Sequence, residues 1–281
     1  MRSEKTTGRQ WFASRELLGN LTMREVKGKY KRSLIGQGWS LLNPIASLAI
    51  YSLVFGFVLK AEPDPGEPSG LDVFVLWLAC ALLPWNFFAA TLTGGMASLV
   101  NNANLIQKVY FPRYTLVVST MLSNLVNFGF ELLVLIVALV VFGGSPWIWI
   151  PGAIIATAVL AVFAVGLALT LSICNVYFRD TAQFVGILMQ IWFYATPIVY
   201  PVHLIADKQA QMTANGNNFP LLALYELNPM ERFSAVFRNL LYDNRMPELG
   251  DMAYCVLAAL VSIAFGTWVF KRFQGNIAEE L

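Results

Sequence analysis

Long apolar stretches alternate with short polar ones along most of the chain. A helix that crosses the hydrocarbon core of a bilayer takes roughly 20 residues. Six stretches are close to that length, and they predict spans at residues 39–59, 73–93, 114–142, 147–174, 184–200 and 252–270. Pro44 lies near the start of the first span, where a missing N–H group is tolerated, whereas Pro84 is expected to kink or break the second. The pattern predicts an all-α integral membrane protein with one domain over residues 1–281.

The composition supports a membrane protein and argues against several kinds of site. Hydrophobic residues make up 57% of the chain and charged residues 13%, compared with about 25% charged residues in ordinary soluble domains. Cys80, Cys174 and Cys255 all fall inside apolar stretches, so we expect small packing residues rather than disulfides. The single histidine, His203, excludes a histidine-based metal cluster within the chain, and we expect no metal site and no catalytic residue.

The distribution of lysine and arginine predicts the orientation of the spans. Nine of the 19 basic residues precede the first span, and the loop 61–70 that follows it has none. Basic residues concentrate in cytoplasmic loops, so both termini are predicted to be cytoplasmic. The remaining predicted cytoplasmic loops carry Lys108, Arg113, Arg179, Lys271 and Arg272. Because the first forty residues are polar and basic, no cleavable signal peptide is expected, and targeting would come from the first span.

Three segments do not fit a simple span. Residues 11–28 place Trp11, Leu17, Leu18 and Leu21 at helical spacing, which predicts an amphipathic helix in the cytoplasmic interface. Such a helix could instead be a lipid anchor without a protein partner. Residues 99–113 form an amphipathic loop that ends at Pro112; it is interpreted either as a short helix that docks on a partner or as a plain connection.

The third segment, residues 201–250, mixes prolines with apolar patches on the predicted external side. It contains a predicted helix, residues 229–243, and we expect short helices here that enter the outer interface without forming a separate domain. The apolar stripe of that helix comprises Met230, Phe233, Val236, Phe237, Leu240 and Leu241.

Two features inside the predicted spans allow a functional or a structural interpretation. Glu131 is an acid deep in the third span, where it would either line a pore or be hydrogen-bonded to a neighbouring helix alongside Asn124 and Asn127. Aromatic residues are concentrated in the second and fifth spans, where they would form interfacial belts or stack on the faces of sugar rings. These aromatic residues are Trp77, Trp85, Phe87, Phe88, Trp192, Phe193 and Tyr194.

The chain contains no G-x-x-x-x-G-K-[ST] phosphate loop, so it is not expected to bind ATP in that way. Five stretches in the same order resemble the permease subunits of ABC-2-type exporters of lipid-linked polysaccharide, the family of the O-antigen, teichoic acid and galactan exporters. They are residues 15–59, the run NNANLIQKVYFPRYTLVVST (101–120), NVYFRD (175–180), ATPIVYP (195–201) and LNPM followed by FRNLLYD (227–243). In the first stretch the matching residues are Lys29, Tyr30, Lys31, Arg32, Ile35, Gly36, Trp39, Asn43 and Pro44, with Ile35 in place of the commoner leucine.

The resemblance implies six transmembrane helices with an interfacial N-terminal helix, a cytoplasmic coupling helix and short external re-entrant helices. It implies a homodimer in the bacterial cytoplasmic membrane that works with two copies of a separate ABC ATPase, which binds ATP and Mg²⁺. This chain itself would bind no cofactor and no nucleic acid. The substrate would be a glycan attached to a polyprenyl diphosphate, which would pass along an aromatic channel.

The resemblance also assigns roles to particular residues. Lys27, Lys29, Lys31 and Arg32 would attract the lipid-linked diphosphate, although the predicted topology alone requires basic residues there. The cytoplasmic turn of Tyr177, Phe178, Arg179 and Asp180 would be fastened by an ion pair between Arg179 and Asp180. Coupling to the ATPase would fall to Asn101, Asn102, Leu105, Ile106, Lys108, Tyr110, Phe111, Pro112 and Arg113.

Two other functions stay open at this point. One is an ABC-2 permease for a drug or a lipid, which would share the fold. The other is a membrane enzyme that acts on polyprenyl-linked sugars; such an enzyme would work without an ATPase and would normally show a compact cluster of acids, which this sequence does not.

Overall fold

The computed structural model describes residues 8–29, 38–58, 65–109, 111–215 and 219–281, and every regular element in these ranges is a helix. In the first half of the chain these are α1 (Gly8–Lys29), α2 (Gly38–Tyr51, continued by π-helix Ser52–Val58), α3 (Phe74–Asn101), α4 (Ala103–Lys108) and α5 (Tyr114–Val141). They are followed by a 3₁₀ turn (Pro146–Trp149), α6 (Ile150–Tyr177), α7 (Thr181–Tyr194), α8 (His203–Ala214) and α9 (Leu221–Glu226). The last elements are α10 (Pro229–Arg238, continued by π-helix Asn239–Asp243), α11 (Leu249–Phe273), a 3₁₀ turn (Gln274–Asn276) and α12 (Ile277–Glu280).

Four helical stretches among the described residues are long and apolar enough to cross a bilayer: Phe74–Asn101, Tyr114–Val141, Pro146–Tyr177 and Leu249–Asn276. They correspond to the second, third, fourth and sixth predicted spans. The helix α3 continues through Pro84, so the expected break is absent, and it runs eight residues past the predicted end at residue 93. Proline is tolerated in membrane helices because neighbouring helices can satisfy the freed backbone groups.

The fifth predicted span, residues 184–200, is shorter in the structure than predicted and is not confirmed as a membrane-crossing helix. The observed helix, α7, has 14 residues and ends at Tyr194, which gives it a length of about 21 Å against a hydrocarbon core of about 30 Å. Pro197 explains the early end, because the residue before a proline is pushed out of the helical conformation. The Thr196 hydroxyl also bonds back to the carbonyl of Trp192, at 2.8 Å.

The first predicted span, residues 39–59, is helical from Gly38 to Val58, with a π-helical second half. The predicted helix 229–243 is also continuous, from α10 into its π-helical extension. All six residues of its predicted apolar stripe are buried. The three cysteines are unpaired, as expected for packing residues.

The core of the protein is built around α3, whose side chains from Leu76 to Trp85 are all buried. Helices α5 and α6 pack against it, and α6 in turn crosses α11 at a pair of glycines. A methyl group added at Gly266 would overlap the carbonyl of Gly166, so the two backbones approach as closely as small residues allow. The hydroxyl of Ser262 donates to the carbonyl of Phe163 (2.7 Å) at the same crossing.

Candidate functional site

One end of the helix bundle joins the N-terminal helix α1 to the short helix α4. Arg24 on α1 donates from Nη2 to Oδ1 of Asn102, 2.6 Å away, at the junction of α3 and α4. The amide nitrogen of Asn102 donates to the carbonyl of Ser98 (2.8 Å), which fixes the orientation of that side chain. The N-terminal helix α1 and the predicted coupling segment therefore touch directly.

The predicted coupling residues divide into an anchoring set and an exposed set. Ile106 is buried, and Leu105 and Phe111 pack against the core. Arg113 donates to the backbone carbonyl of Gln274, which ties the segment to the end of α11. The exposed coupling residues are Asn101, Lys108 and Pro112, whereas Tyr110 lies outside the described residues.

The predicted diphosphate-attracting residues fall mostly outside the part of the chain that the structure describes. Lys27 is exposed near the end of α1. Nothing is described of the side chain of Lys29 or of residues Lys31 and Arg32. Their predicted role stays a prediction.

The turn between α6 and α7 is formed by three exposed residues, Phe178, Arg179 and Asp180. The expected ion pair is absent: Arg179 and Asp180, both within the described ranges, make no salt bridge with each other. Both side chains extend into open surroundings, where an ion pair contributes little. The turn is instead held from Tyr177, whose hydroxyl donates to the carbonyl of Phe273 (3.3 Å).

Most of the predicted channel aromatics form one packed cluster inside the chain. Trp85 lies 6.2 Å from Trp192 and 5.6 Å from Phe193 between ring centroids, both edge-on. Phe88 stacks on Phe163 at 5.5 Å. Phe87 stacks on a ring of α5, and Tyr194 is the exposed member of the predicted set.

Asn228 connects this cluster to helix α10. Its Oδ1 accepts from Nε1 of Trp192 (2.7 Å) and from the backbone N–H of Met230 (3.0 Å), so it caps the first turn of α10. Its amide nitrogen donates to the hydroxyl of Thr196 (2.9 Å). One side chain therefore joins the end of α7 to the start of α10.

A polar cavity of about 470 Å³ opens between the first turn of α3, the segment after α7 and one face of α10. Arg238 lies at its wall with the guanidinium carbon 3.6 Å from the centroid of a ring of Trp77. Its Nη1 and Nη2 donate to the carbonyls of Pro197 and Ile198, each at 2.7 Å. Trp77 thus supports a cation rather than belonging to the aromatic cluster.

Burial changes the acidity of the groups around this cavity. Desolvation raises the pKa of Glu231 to about 7, and the nearby Arg232 opposes that rise. Desolvation likewise lowers the pKa of Arg238 to about 10, so the guanidinium stays charged at neutral pH. Arg232 also pairs with Asp251 at the start of α11.

Glu131 faces a small apolar cavity of about 110 Å³ between α2, α3 and α5. Among the described side chains it has no hydrogen-bond partner, while the neighbouring Asn124 donates to the hydroxyl of Thr91 (3.4 Å). The interhelical hydrogen bond expected for this region is therefore made by Asn124.

A family profile described as ABC-2 type transporter matches residues 16–217 of the chain. The chain belongs to the ABC-2 type transporter family. It is 31% identical over 269 residues to an O-antigen export system permease protein RfbA of Klebsiella pneumoniae, with 95% of each chain covered. It is 27% identical to the protein of the same name from Myxococcus xanthus, over 97% of this chain and 98% of the relative. A polysialic acid transport protein KpsM of Escherichia coli is 19% identical over 89% of this chain.

The polar cavity of this ABC-2 transporter chain was not predicted from the sequence. A signal was present, because Glu231, Ala235 and Arg238 follow one another at helical spacing on the face opposite the apolar stripe. Helical spacing could not predict the opposite wall of the cavity, since Trp77 and Pro197 belong to other elements. The hydrogen bond from Arg24 to Asn102 also joins residues that are far apart in the sequence, so helical spacing could not predict it.

Proposed function

We propose that the chain is the transmembrane subunit of an ATP-driven exporter that carries a polyprenyl-diphosphate-linked polysaccharide across the bacterial cytoplasmic membrane. The observation that carries the proposal is similarity from end to end: the relatives named as O-antigen export permeases match this chain over 95% of both lengths or more. The chain contains no phosphate loop of its own, which fits a transport subunit whose ATPase is a separate chain with bound ATP and Mg²⁺.

The proposed assembly is a homodimer with two ATPase subunits, six membrane passages per chain and both termini in the cytoplasm. The exposed part of the coupling segment, with Lys108 at the end of α4, would meet the ATPase. The hydrogen bond from Arg24 to Asn102 would pass its movement to α1. Lys27, Lys29, Lys31 and Arg32 would receive the diphosphate at the inner surface by charge attraction.

The glycan would pass between the two copies of the chain. On this proposal Tyr194, which is exposed, contacts the sugar, and the packed rings of Trp85, Phe88, Trp192 and Phe193 form the rigid wall behind it. Sugar faces are apolar and rich in C–H groups, so aromatic surfaces hold them with little directional preference. Phe87 would stabilise the wall from α3, whereas Trp77 would act through its contact with Arg238.

Deleting the gene in its own host and following lipid-linked glycan on each leaflet tests the proposal. We expect the glycan to accumulate on the inner leaflet and to disappear from the cell surface, with export restored by the wild-type gene. Co-purification of an ABC ATPase with the tagged chain is the second expected result. Normal surface glycan in the deletion strain, or glycan-modifying activity of the purified chain without an ATPase, would contradict the proposal.

A further inference from the structure

The residues that follow α11 fold back against the helix bundle at the end that carries α4. After Phe273 come the 3₁₀ turn Gln274–Asn276 and the short helix α12, Ile277–Glu280. The helix α12 packs against both α4 and α6. Its first residue, Ile277, is fully buried, and Leu281 packs partly buried against the same hydrophobic core. We call residues 274–281 the α12 segment.

Two hydrogen bonds fix the place where the α12 segment leaves α11. Arg113, at the start of α5, donates from Nη1 to the carbonyl of Gln274. The hydroxyl of Tyr177, the last residue of α6, donates to the carbonyl of Phe273 (3.3 Å), and the rings of Tyr177 and Phe273 meet edge-on at 6.3 Å between centroids. Carbonyl groups at the end of a helix have no partner within the helix. Side-chain donors from α5 and α6 therefore set the direction of the chain after α11.

The helix α4 is too short to be stable without its neighbours. It has six residues, of which Ile106 is buried, whereas isolated helices shorter than roughly 12 residues are marginal in water. It packs against the end of α3, which directly precedes it, and against α12. Asn102, at its start, receives the hydrogen bond from Arg24 of α1. The orientation of α4 therefore depends on α12 as well as on α1 and α3.

We propose that the α12 segment positions α4 for its work with the ATPase, so that a movement imposed on α4 also reaches α6 and α11. The proposal rests on the proposed function, which makes α4 the coupling helix. The α12 segment is covalently joined to α11 and packs on α4 and α6 at the same time. The contact of α1 with α4 through Arg24 is an exposed hydrogen bond, whereas α12 is held through the buried side chain of Ile277.

This arrangement predicts a particular defect when the α12 segment is loosened. The exposed surface of α4, with Lys108, would stay available to the ATPase. The ATPase would still bind and hydrolyse ATP, but α4 would shift against the bundle without moving α6 and α11. The expected defect is therefore loss of coupling and not loss of the complex.

Hydrogen exchange of the full chain in lipid nanodiscs tests the positioning role without the ATPase. In Ile277→Ala we expect the backbone amides of residues 105–109 to exchange about tenfold faster than in the wild type, because α4 loses part of its packing surface. Amides in the middle of α5, residues 120–135, should exchange as in the wild type. Ile277→Val should restore most of the protection of α4, since it keeps most of the buried volume.

Two further variants separate the support of α4 from a general effect on folding. Arg113→Met removes the donor to the carbonyl of Gln274 at a part-buried position, and it should raise the exchange of α4 about threefold while the chain stays folded. Glu280 is exposed at the end of α12. Glu280→Gln should therefore leave the exchange of α4 within about twofold of the wild type.

Coupling is measured in the complex with the co-purified ABC ATPase and in cells. For Ile277→Ala we expect the amount of bound ATPase and the rate of ATP hydrolysis to stay within about twofold of the wild type, while surface glycan falls about fivefold or more. Ile277→Val should export normally. A purely structural defect would instead lower the amount of complex, ATP hydrolysis and export together.

The outcomes distinguish this proposal from the proposed function. Faster exchange confined to α4, with export that falls more than ATP hydrolysis, supports the positioning role. Unchanged exchange at α4, faster exchange throughout the bundle, equal loss of hydrolysis and export, or loss of the ATPase from the complex overturns it. Absence of an ABC ATPase from the wild-type complex would refute the proposed function and this proposal with it. A working exporter in which Ile277→Ala leaves α4 unchanged would refute the positioning role alone.

Discussion

At the scale of single residues, Asn228 joins the end of α7 to the start of α10. It caps α10, accepts from the indole of Trp192 and donates to Thr196. We expect Asn228→Ala to lower the free energy of unfolding by about 2–4 kcal/mol, because a cap is lost and a part-buried indole N–H is left without a partner. Thermal unfolding of the full chain in nanodiscs measures the effect.

Asn228→Asp serves as the matched control. An aspartate retains the oxygen that accepts from Trp192 and Met230 but loses the amide that donates to Thr196. Its loss of stability should be about half that of the alanine variant, because the cap contributes much of the effect. Equal losses in the two variants would show that the donated hydrogen bond, and not the cap, matters.

Glu231 predicts a pH dependence at the same scale. Burial raises the pKa of its carboxyl to about 7, from an ordinary value of 4.5. The folded state therefore holds this proton more tightly than the unfolded state, and the contribution of Glu231 to stability declines as the pH rises from about 4.5 to about 7. The groups that modify its titration are Arg232, Asp251, Glu226 and Arg238.

Stability measured across this window, for the wild type and for Glu231→Gln, isolates the effect. The difference in unfolding free energy between the two proteins should change with pH below 7 and become constant above it. A difference that does not vary between pH 5 and pH 7 would mean that Glu231 is ionised throughout the window in the folded protein.

At the scale of elements, the crossing of α6 and α11 depends on two glycines. A Cβ at Gly266 would overlap the backbone of Gly166, so Gly266→Ala must push the helices apart. We expect a loss of roughly 1–3 kcal/mol in unfolding free energy. Gly250→Ala, on the same helix but in open space, should be neutral or stabilising by up to about 1 kcal/mol. If the two variants unfold alike, the close crossing does not contribute to stability.

Helices could be predicted from the sequence where a long apolar stretch determines them. The spans 114–142, 147–174 and 252–270 agree with α5, α6 and α11 to within about three residues at each end, because hydrophobicity alone sets them. The part of α3 after residue 93 was not predicted, because it is only weakly apolar. There Gly94 and Gly95 lie against Thr120 and Ala168, so packing on α5 and α6 sustains the helix.

The contacts that build the candidate site were less predictable than the helices. The apolar stripe of α10 follows from helical spacing, and the structure confirms it. Helical spacing could not predict the partner of Arg238. Trp77 lies far from it in the sequence and reaches the arginine only through the packing of α3 on α10. The hydrogen bond between Arg24 and Asn102 likewise depends on the packing of two elements that are distant in the sequence.

At the scale of the whole molecule, the end of the bundle that carries α4 is where the proposed ATPase partner would act. Lys108 is exposed at the end of α4, while Ile106 anchors that helix in the core. We expect Lys108→Glu to reduce the amount of ATPase that co-purifies with the chain about tenfold, since a reversed charge at an interface both weakens and slows association. Stability should change by less than about 0.5 kcal/mol.

Lys208→Glu, an equivalent change at an exposed position on α8, is the control for Lys108→Glu. It should leave the co-purified ATPase at the wild-type level. A similar decrease in both variants would point to net charge rather than to a contact at α4.

The glycine crossing also limits where the protomer can deform. The backbones of α6 and α11 touch directly, so no side chains lie between them that could slide or change rotamer. The two helices are therefore expected to move as one rigid body. Any deformation of the protomer must therefore come from helices that are packed less tightly. One such element is α7, which is short and leaves Phe184, Ile187 and Ile191 exposed. Its C-terminal end is attached to α10 through Asn228.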